Sequence, residues 1–329
     1  MSNMTYQDGK IRLEQLREGK LPEENTPVGR NPLYLRAYDN YLRLGTVCNT
    51  LREGTDSAGG YLVPDEFENK LVKAMESENV LRRISRTITT SHDLKIPMAV
   101  EEGQAFWVPE EGVITFSDPK FDMIYIGAHK LGTRMCISDE LLEDSAFDME
   151  SFIADSFASR LGKAEEEAFL NGDGNAKPLG LMRQIEVGAT TENAGTIAIE
   201  DIMDLIHSVP QAYRKKAVLV MNDNTFRDLC KIRSAYDRNI WSKDLTERYP
   251  GVMLGVPIVI CDAMPDAESG SMPILYGNFD YFIIGDRGNH SIKRLNEPYA
   301  DRGQVGFPVT QRVDAVLLDK RAIKALHVR

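Results

Sequence analysis

One stretch constrains this chain more than any other. From Asp148 to Leu170, apolar side chains recur at Met149, Phe152, Ile153, Phe157, Leu161, Ala164 and Ala168, the i, i+3, i+4 stripe of an amphipathic helix. At 1.5 Å per residue such a helix is on the order of 35 Å long, about the width of a small domain. Any fold must be organised along it. Asp148 is predicted to cap its start, because a short carboxylate can accept the unpaired N–H groups of a first turn. Asn171-Gly172 is predicted to stop it. The continuation NGDGNAKPLGLM begins like a calcium loop, but Met182 stands where the bidentate glutamate would have to be. A helix-stopping turn is expected instead.

The rest of the 329 residues reads as mixed α+β without internal repeats. Residues 1–58 hold eight basic and eight acidic side chains and are neutral in a chain of net charge −11. A short helix is predicted around Ile11, Leu13, Leu16 and Leu21. A second follows Pro32, from the spacing of Leu33, Tyr34, Ala37, Tyr38, Tyr41 and Leu42, with PEENTPVGRNP as linker between them. Two such helices bury little by themselves, so this segment is expected to be an arm that docks elsewhere. GGYLVP turns into the helix DEFENKLVKAMESE. Residues 93–137 are predicted to form a long β-hairpin excursion, with strand-like flanks LKIPMAV and MIYIGAHKLGTRMCIS. Its roughly twenty-residue middle is rich in Glu, Gly and Pro, and a stretch of that kind is usually an interaction element.

Beyond Ile199 helices and strands alternate. A helix is expected at Ile202, Leu205, Ile206 and Val209, a buried strand at AVLVM, and an Asn-capped helix at NTFRDLCKIR. Further strands are expected at VPIVIC, PILYG and YFIIG. SAYDRNIWSKDLTERYPG is polar and predicted to be an exposed loop, and FPVTQRVDAVLLDKRAIKAL a long C-terminal strand.

Chemistry is hard to find. No nucleophile elbow, H-E-x-x-H or phosphate loop occurs in the sequence. Cys48, Cys136, Cys230 and Cys261 form no C-x-x-C pair, which speaks for reduced thiols rather than zinc or a disulfide framework. The five histidines are equally dispersed. Glu101, Glu102, Glu110 and Glu111 surround Trp107, but glycosidase carboxylates need a rigid frame and these sit in a Gly-Pro-broken stretch. A charge cluster facing solvent or an interface is expected there. The acidic balance argues against a DNA-gripping patch. No catalytic residue, cofactor or metal ligand is predicted, and the polar N-terminus carries no secretory signal.

From GGYLVP onward the sequence resembles the tailed-bacteriophage major capsid family with the Hong Kong 97 type fold. AFWVPEEG, ISDELLEDS, EEEAFLNGDG with PLGLM, VMNDNTFRDL, LGVPIVICDAMP, ILYGNFDYFIIGDR and QRVDAVLLDKRAIKAL follow in the family's order. The resemblance implies an N-terminal arm (1–58) and a P-domain from 59–98, 137–198 (with its spine helix) and 291–329. It likewise implies an extended E-loop (99–136) and an A-domain (199–290). It further implies a structural head protein, not an enzyme, that self-assembles as pentamers and hexamers into an icosahedral shell enclosing double-stranded DNA without sequence-specific binding. The expected location is the virion, with assembly in the host cytoplasm and no membrane. By the same resemblance, Trp107, Glu110, Glu111, Phe116, Lys120, Phe121 and Arg134 are interface residues. Portal, decoration and a separate scaffolding protein are the further partners implied. An encapsulin-like compartment shares the fold and is the alternative, and a hydrolase using the Glu-rich loop is more remote. Some family members join an E-loop lysine to a neighbour's asparagine, aided by a glutamate. The corresponding positions here are Met123, Gly303 and Thr310, with Lys120 nearby, so no autocatalytic crosslink is predicted.

Overall fold

The computed structural model describes residues 32–45, 65–101, 107–108, 120–144, 148–232, 241–242 and 249–329. The first half runs α1 (Pro32–Leu44), α2 (Asp65–Glu78), α3 (Val80–Ile84), β1 (Arg86–Thr90), β2 (Leu94–Glu101), β3 (Lys120–Ile126) and β4 (His129–Ser138). There follow α4 (Asp139–Asp144), α5 (Met149–Asn171), α6 (Leu181–Gln184), β5 (Glu186–Thr190), α7 (Ile199–Ser208), β6 (Val218–Met221) and α8 (Asp223–Cys230). The remainder is strand-rich: β7 (Trp241–Ser242), β8 (Gly251–Met253), β9 (Val256–Ile260), β10 (Ile274–Gly277), β11 (Phe282–Arg287), β12 (Ser291–Ile292), β13 (Gln304–Leu317) and β14 (Ile323–His327).

The organising helix is α5, and its ends are set as its sequence predicts. Asp148 accepts a hydrogen bond from the backbone N–H of Ser151 at 3.1 Å, and the N–H of Gly172 closes the last turn on the Ala168 carbonyl. The calcium-like continuation is a turn closed by an Asp173–Leu179 bridge. Met149, Ile153, Phe157 and Leu161 of the predicted stripe are buried, and past Leu161 the buried face shifts. Phe152 is exposed, Ala164 faces solvent, and Glu165 and Glu166 are buried beside Phe169 and Leu170. Two carboxylates occupy the core side of the helix where the sequence pattern expects alanines.

Two sheets meet along this helix. The five-stranded sheet runs β1-β11-β13-β12, with β4 also paired to β13. The seven-stranded sheet runs β5-β14-β10-β6-β9-β8-β7, and β2 and β3 form a separate antiparallel ribbon. One core packs α1, α2 and α5 on the inner face of the five-stranded sheet through Phe67, Leu71, Phe157, Leu161, Phe307 and Val309. A second lies between the end of α5 and the seven-stranded sheet (Phe169, Leu170, Val220, Leu275), and a third packs α7 on that sheet through Ile202 and Leu205.

Several sequence expectations need correction. α1 docks on the chain's own first core: Tyr38 and Leu42 are fully buried, and the Tyr38 ring meets Phe67 edge-on at 5.9 Å. The second hairpin flank breaks at Gly127, whose N–H donates to Asp314 at 2.6 Å. β3 therefore pairs with β2, and β4 crosses to β13. The C-terminal strand is two strands in different sheets, parted by a turn in which Asp319 accepts from the Arg321 N–H at 2.8 Å. The cap of α8 is Asn222, two residues earlier than read, accepting from the Thr225 N–H at 2.7 Å. The supposed loop contains β7, antiparallel to β8, with Trp241 packed on Phe226. The helix around Ile11, its linker and GGYLVP lie outside the described residues.

Candidate functional site

Where α3, α5, β11 and β13 converge, between the first two cores, the molecule buries a chain of charges. Arg82, nearly inaccessible, is held there because Asn79 caps α3, its side chain accepting the Arg82 N–H at 3.0 Å. The guanidinium donates through Nε and Nη2 to Glu165 at 3.1 and 2.8 Å, and through Nη1 and Nη2 to Asp286 at 2.7 and 2.9 Å. Both carboxylates are thus gripped in the two-pronged geometry that suits arginine. Glu165 also receives Asn79 Nδ2 at 3.3 Å and Gln311 Nε2 at 2.6 Å. Burial pushes the Glu165 carboxyl above its ordinary value, opposed by the charge and hydrogen bonds of Arg82. Four donors hold it as a carboxylate.

The chain continues to a histidine. Since Gln311 spends its amide N–H on Glu165, its oxygen faces His290 Nε2. His290 Nδ1 lies 2.7 Å from a carboxylate oxygen of Glu68 on α2. Both ring nitrogens face acceptors, so the ring carries two protons and is an imidazolium. Burial alone would lower its pKa, but the hydrogen bond to Glu68 and its charge, with Gln311 and Asp286 adding, raise it above 6.5. The stabilisation is therefore complete below about pH 6.5, the unfolded value, and is lost as pH rises through the higher folded value. We expect His290→Gln to cost most stability at and just below about pH 6.5, with the gap to wild type closing as pH is raised. Urea titrations across that range would reveal it, and a gap that widens with pH would contradict the imidazolium.

These groups are spent on one another, and the arrangement reads as a structural lock instead of a reaction centre. Cys261 offers no nucleophile either: burial and the neighbouring Glu166 push its thiol up to about 12. Cys136, Cys230 and Cys261 are free thiols, and Cys48 lies outside the described residues. Among the described residues no group of three or more His, Cys, Asp or Glu could hold a metal ion.

The residues expected at an interface are placed unevenly. Trp107 is wholly exposed. Lys120 and Phe121 open β3, their backbones paired with Glu101 and Ala99, while Glu110, Glu111 and Phe116 lie outside the described residues. Arg134 is exposed on β4 opposite Pro308, its guanidinium 5.9 Å from the Tyr299 ring centroid. Sequence reading missed what lies beside it. On the outer face of the five-stranded sheet Lys130 stands directly opposite Arg312, both exposed, and among the described residues neither has a carboxylate partner. Together with Lys293, Ser291 and Thr310 they line a cleft of about 490 Å³. Like charges paired across strands are destabilising, so the isolated subunit carries an unmet electrostatic demand. The signal is faint in sequence, since Lys130 and Arg312 are 182 positions apart by their numbers and only the register joins them.

Known proteins were compared with this chain. The model of the phage capsid family matches residues 59–328. The major capsid protein of Escherichia phage T5 is 22% identical over 268 residues, which are 75% of this chain and 58% of that protein. The major capsid protein of Halomonas phage phiHAP-1 is 25% identical over 162 residues, 48% of this chain and 27% of that protein. The chain therefore matches less than two thirds of the length of either curated relative. Among solved structures, the capsid of a native GTA particle computed with C5 symmetry superposes with a TM-score of 0.65 and 29% identity, covering 75% of this chain and 88% of that one. A structure from Gordonia phage Cozz gives 0.59 at 12% identity, covering 77% and 87%.

Proposed function

Since the chain belongs to the phage capsid family, we propose that it is a structural head subunit, assembling as pentamers and hexamers into an icosahedral shell around double-stranded DNA. Its fold is of the Hong Kong 97 type. The observation that carries the reading is the superposition on a capsid computed with C5 symmetry at 29% identity over 75% of the chain. Such a subunit resides in the virion and reaches it from the host cytoplasm. Scaffolding, portal and decoration proteins are its further partners.

In this reading the five-stranded sheet with α2 and α5 is the core of the peripheral unit, and the ribbon of β2 and β3 is the base of the E-loop. The seven-stranded sheet is the core of the axial unit, which takes in β5 and β14 besides residues from 199–290 and gives up β11 to the other sheet. Trp107, Glu110, Glu111, Phe116, Lys120, Phe121 and Arg134 remain the proposed contact residues. Residues 101–118 contain Glu101, Glu102, Glu110, Glu111 and Asp118 and no lysine or arginine. An acidic segment of that kind from a neighbour answers the cationic face around Lys130 and Arg312.

Negative-stain imaging of the expressed protein tests the assignment. Closed shells are expected. A strictly monomeric protein at micromolar concentration would overturn it, and particles filled with a protein cargo and no DNA would favour an encapsulin-like compartment. Because Met123 supplies no amine, particles boiled in detergent should run as a single subunit band, and a ladder would refute the uncrosslinked shell.

A further inference from the structure

A second cleft, of about 530 Å³, opens between α3, the 3-10 turn Gln211–Lys216, the β8–β9 turn and the segment Asn278–Asp280. Four cations line it, Arg83, Arg214, Lys215 and Lys216, with one carboxylate, Asp280. Arg214, Lys215 and Lys216 are consecutive, a basic run that the acidic overall balance conceals. The fold adds Arg83 from more than a hundred positions upstream. Two of the four are committed: Lys216 to Asp280 at 2.8 Å, and Arg214 to the carbonyls of Val209 and His207 at 2.7 and 2.9 Å. Arg83 and Lys215 are exposed and, among the described residues, have no ion-pair partner.

Basic side chains at the end of a short helix also complement its carbonyls, so charge alone would not make a site. Two further features point to a ligand. The Ser85 hydroxyl is buried at the cleft without any hydrogen-bond partner, which costs free energy unless something meets it. The Asn278 side chain accepts the Asp280 N–H through its oxygen at 3.0 Å, leaving its amide hydrogens as donors. The opposite wall is formed by Gly255, Val256 and Pro257.

A hydroxyl, an amide, a guanidinium and an ammonium are all donors and differ in shape, an arrangement that fits a tetrahedral oxyanion with several acceptor oxygens. We propose that this cleft binds a phosphate group, carried by free phosphate or by the backbone of DNA. The site does not depend on the shell reading, and it requires no base-specific contact.

The test uses the full-length, unassembled subunit at low salt, titrated calorimetrically with pyrophosphate and, separately, by fluorescence anisotropy with a labelled thymidine oligonucleotide. Saturable binding of at least one is expected. Arg83→Gln/Lys215→Gln should weaken it by at least about tenfold, since each lost charged donor removes a charge-assisted hydrogen bond. Ser85→Ala should weaken it less. Lys73→Gln/Lys163→Gln, which removes two equally exposed charges from α2 and α5, should leave it unchanged. Pyrophosphate binding without oligonucleotide binding identifies a free anion as the source, and the converse identifies DNA backbone. Absence of both, equal loss in the two double variants, or displacement only by a peptide of residues 101–118 would overturn the proposal. The last result would make the cleft a protein-docking site.

Discussion

Replacing Arg82 with methionine is expected to destabilise the subunit by about 3–5 kcal/mol, the range for stripping one partner from a buried ion pair. Methionine fills much of the volume, so the cost arises from what is left behind. Glu165, fully inaccessible, would keep only Asn79 and Gln311 as donors, and Asp286 would lose both its bonds to the guanidinium. Glu165→Gln is expected to cost less, because Arg82 keeps Asp286 and the amide oxygen can still accept two of the four hydrogen bonds, though its NH2 then faces donors. The double change Arg82→Met/Glu165→Met should cost clearly less than the sum of its parts, since the fully buried carboxylate leaves together with its partner and only the part-exposed Asp286 is left unpaired. Urea unfolding of the unassembled subunit measures all three. An Arg82→Met protein within about 1 kcal/mol of wild type would mean that water replaces the guanidinium and the network is no lock.

That lock explains both how much of the molecule is legible in its sequence and where legibility ends. The helix α5 could be read end to end, cap included, because an N-cap and an apolar period are local facts. Buried β6 and the helix α2 were equally plain. The chain could not reveal that Glu165 and Glu166 turn inward, because the donors that make this tolerable come from elsewhere: Arg82 and Gln311 for Glu165, 83 and 146 positions away, and the Val80 N–H for Glu166. Nor could composition separate β3 from β4. β3 pairs with β2 and β4 with β13, parting at Gly127, whose N–H donates to the Asp314 carboxylate, and a one-strand reading satisfies the same alternation. The cationic sheet face is a matter of register, and the seven proposed contact residues were reached through resemblance. The Arg214-Lys215-Lys216 run is local and was nonetheless missed, because net charge is a global sum that says little about where charges gather.

Reversing the cationic face should have the largest effect on assembly. In Lys130→Glu/Arg312→Glu both changes fall on exposed side chains that stand opposite each other across the β4–β13 pair. They replace a like-charge pair by another like-charge pair, so the isolated subunit should keep its circular dichroism and unfolding midpoint. A neighbour's acidic segment would then meet acid in place of base, and like-charge juxtaposition at an interface costs several kcal/mol. With every 1.4 kcal/mol worth tenfold, the concentration needed to form shells should rise by at least about a hundredfold. The same contact recurs at every subunit of a symmetric particle, so partial assembly is not the expected outcome. Adding Glu110→Lys/Glu111→Lys to the same chain should restore shells by swapping the charges, which mere surface disruption could not do. Sedimentation and imaging read both results. Normal shell yield from the reversed face would remove electrostatic docking from the account of assembly. A folded variant that fails to assemble and resists rescue would keep the face but assign it a partner other than residues 101–118.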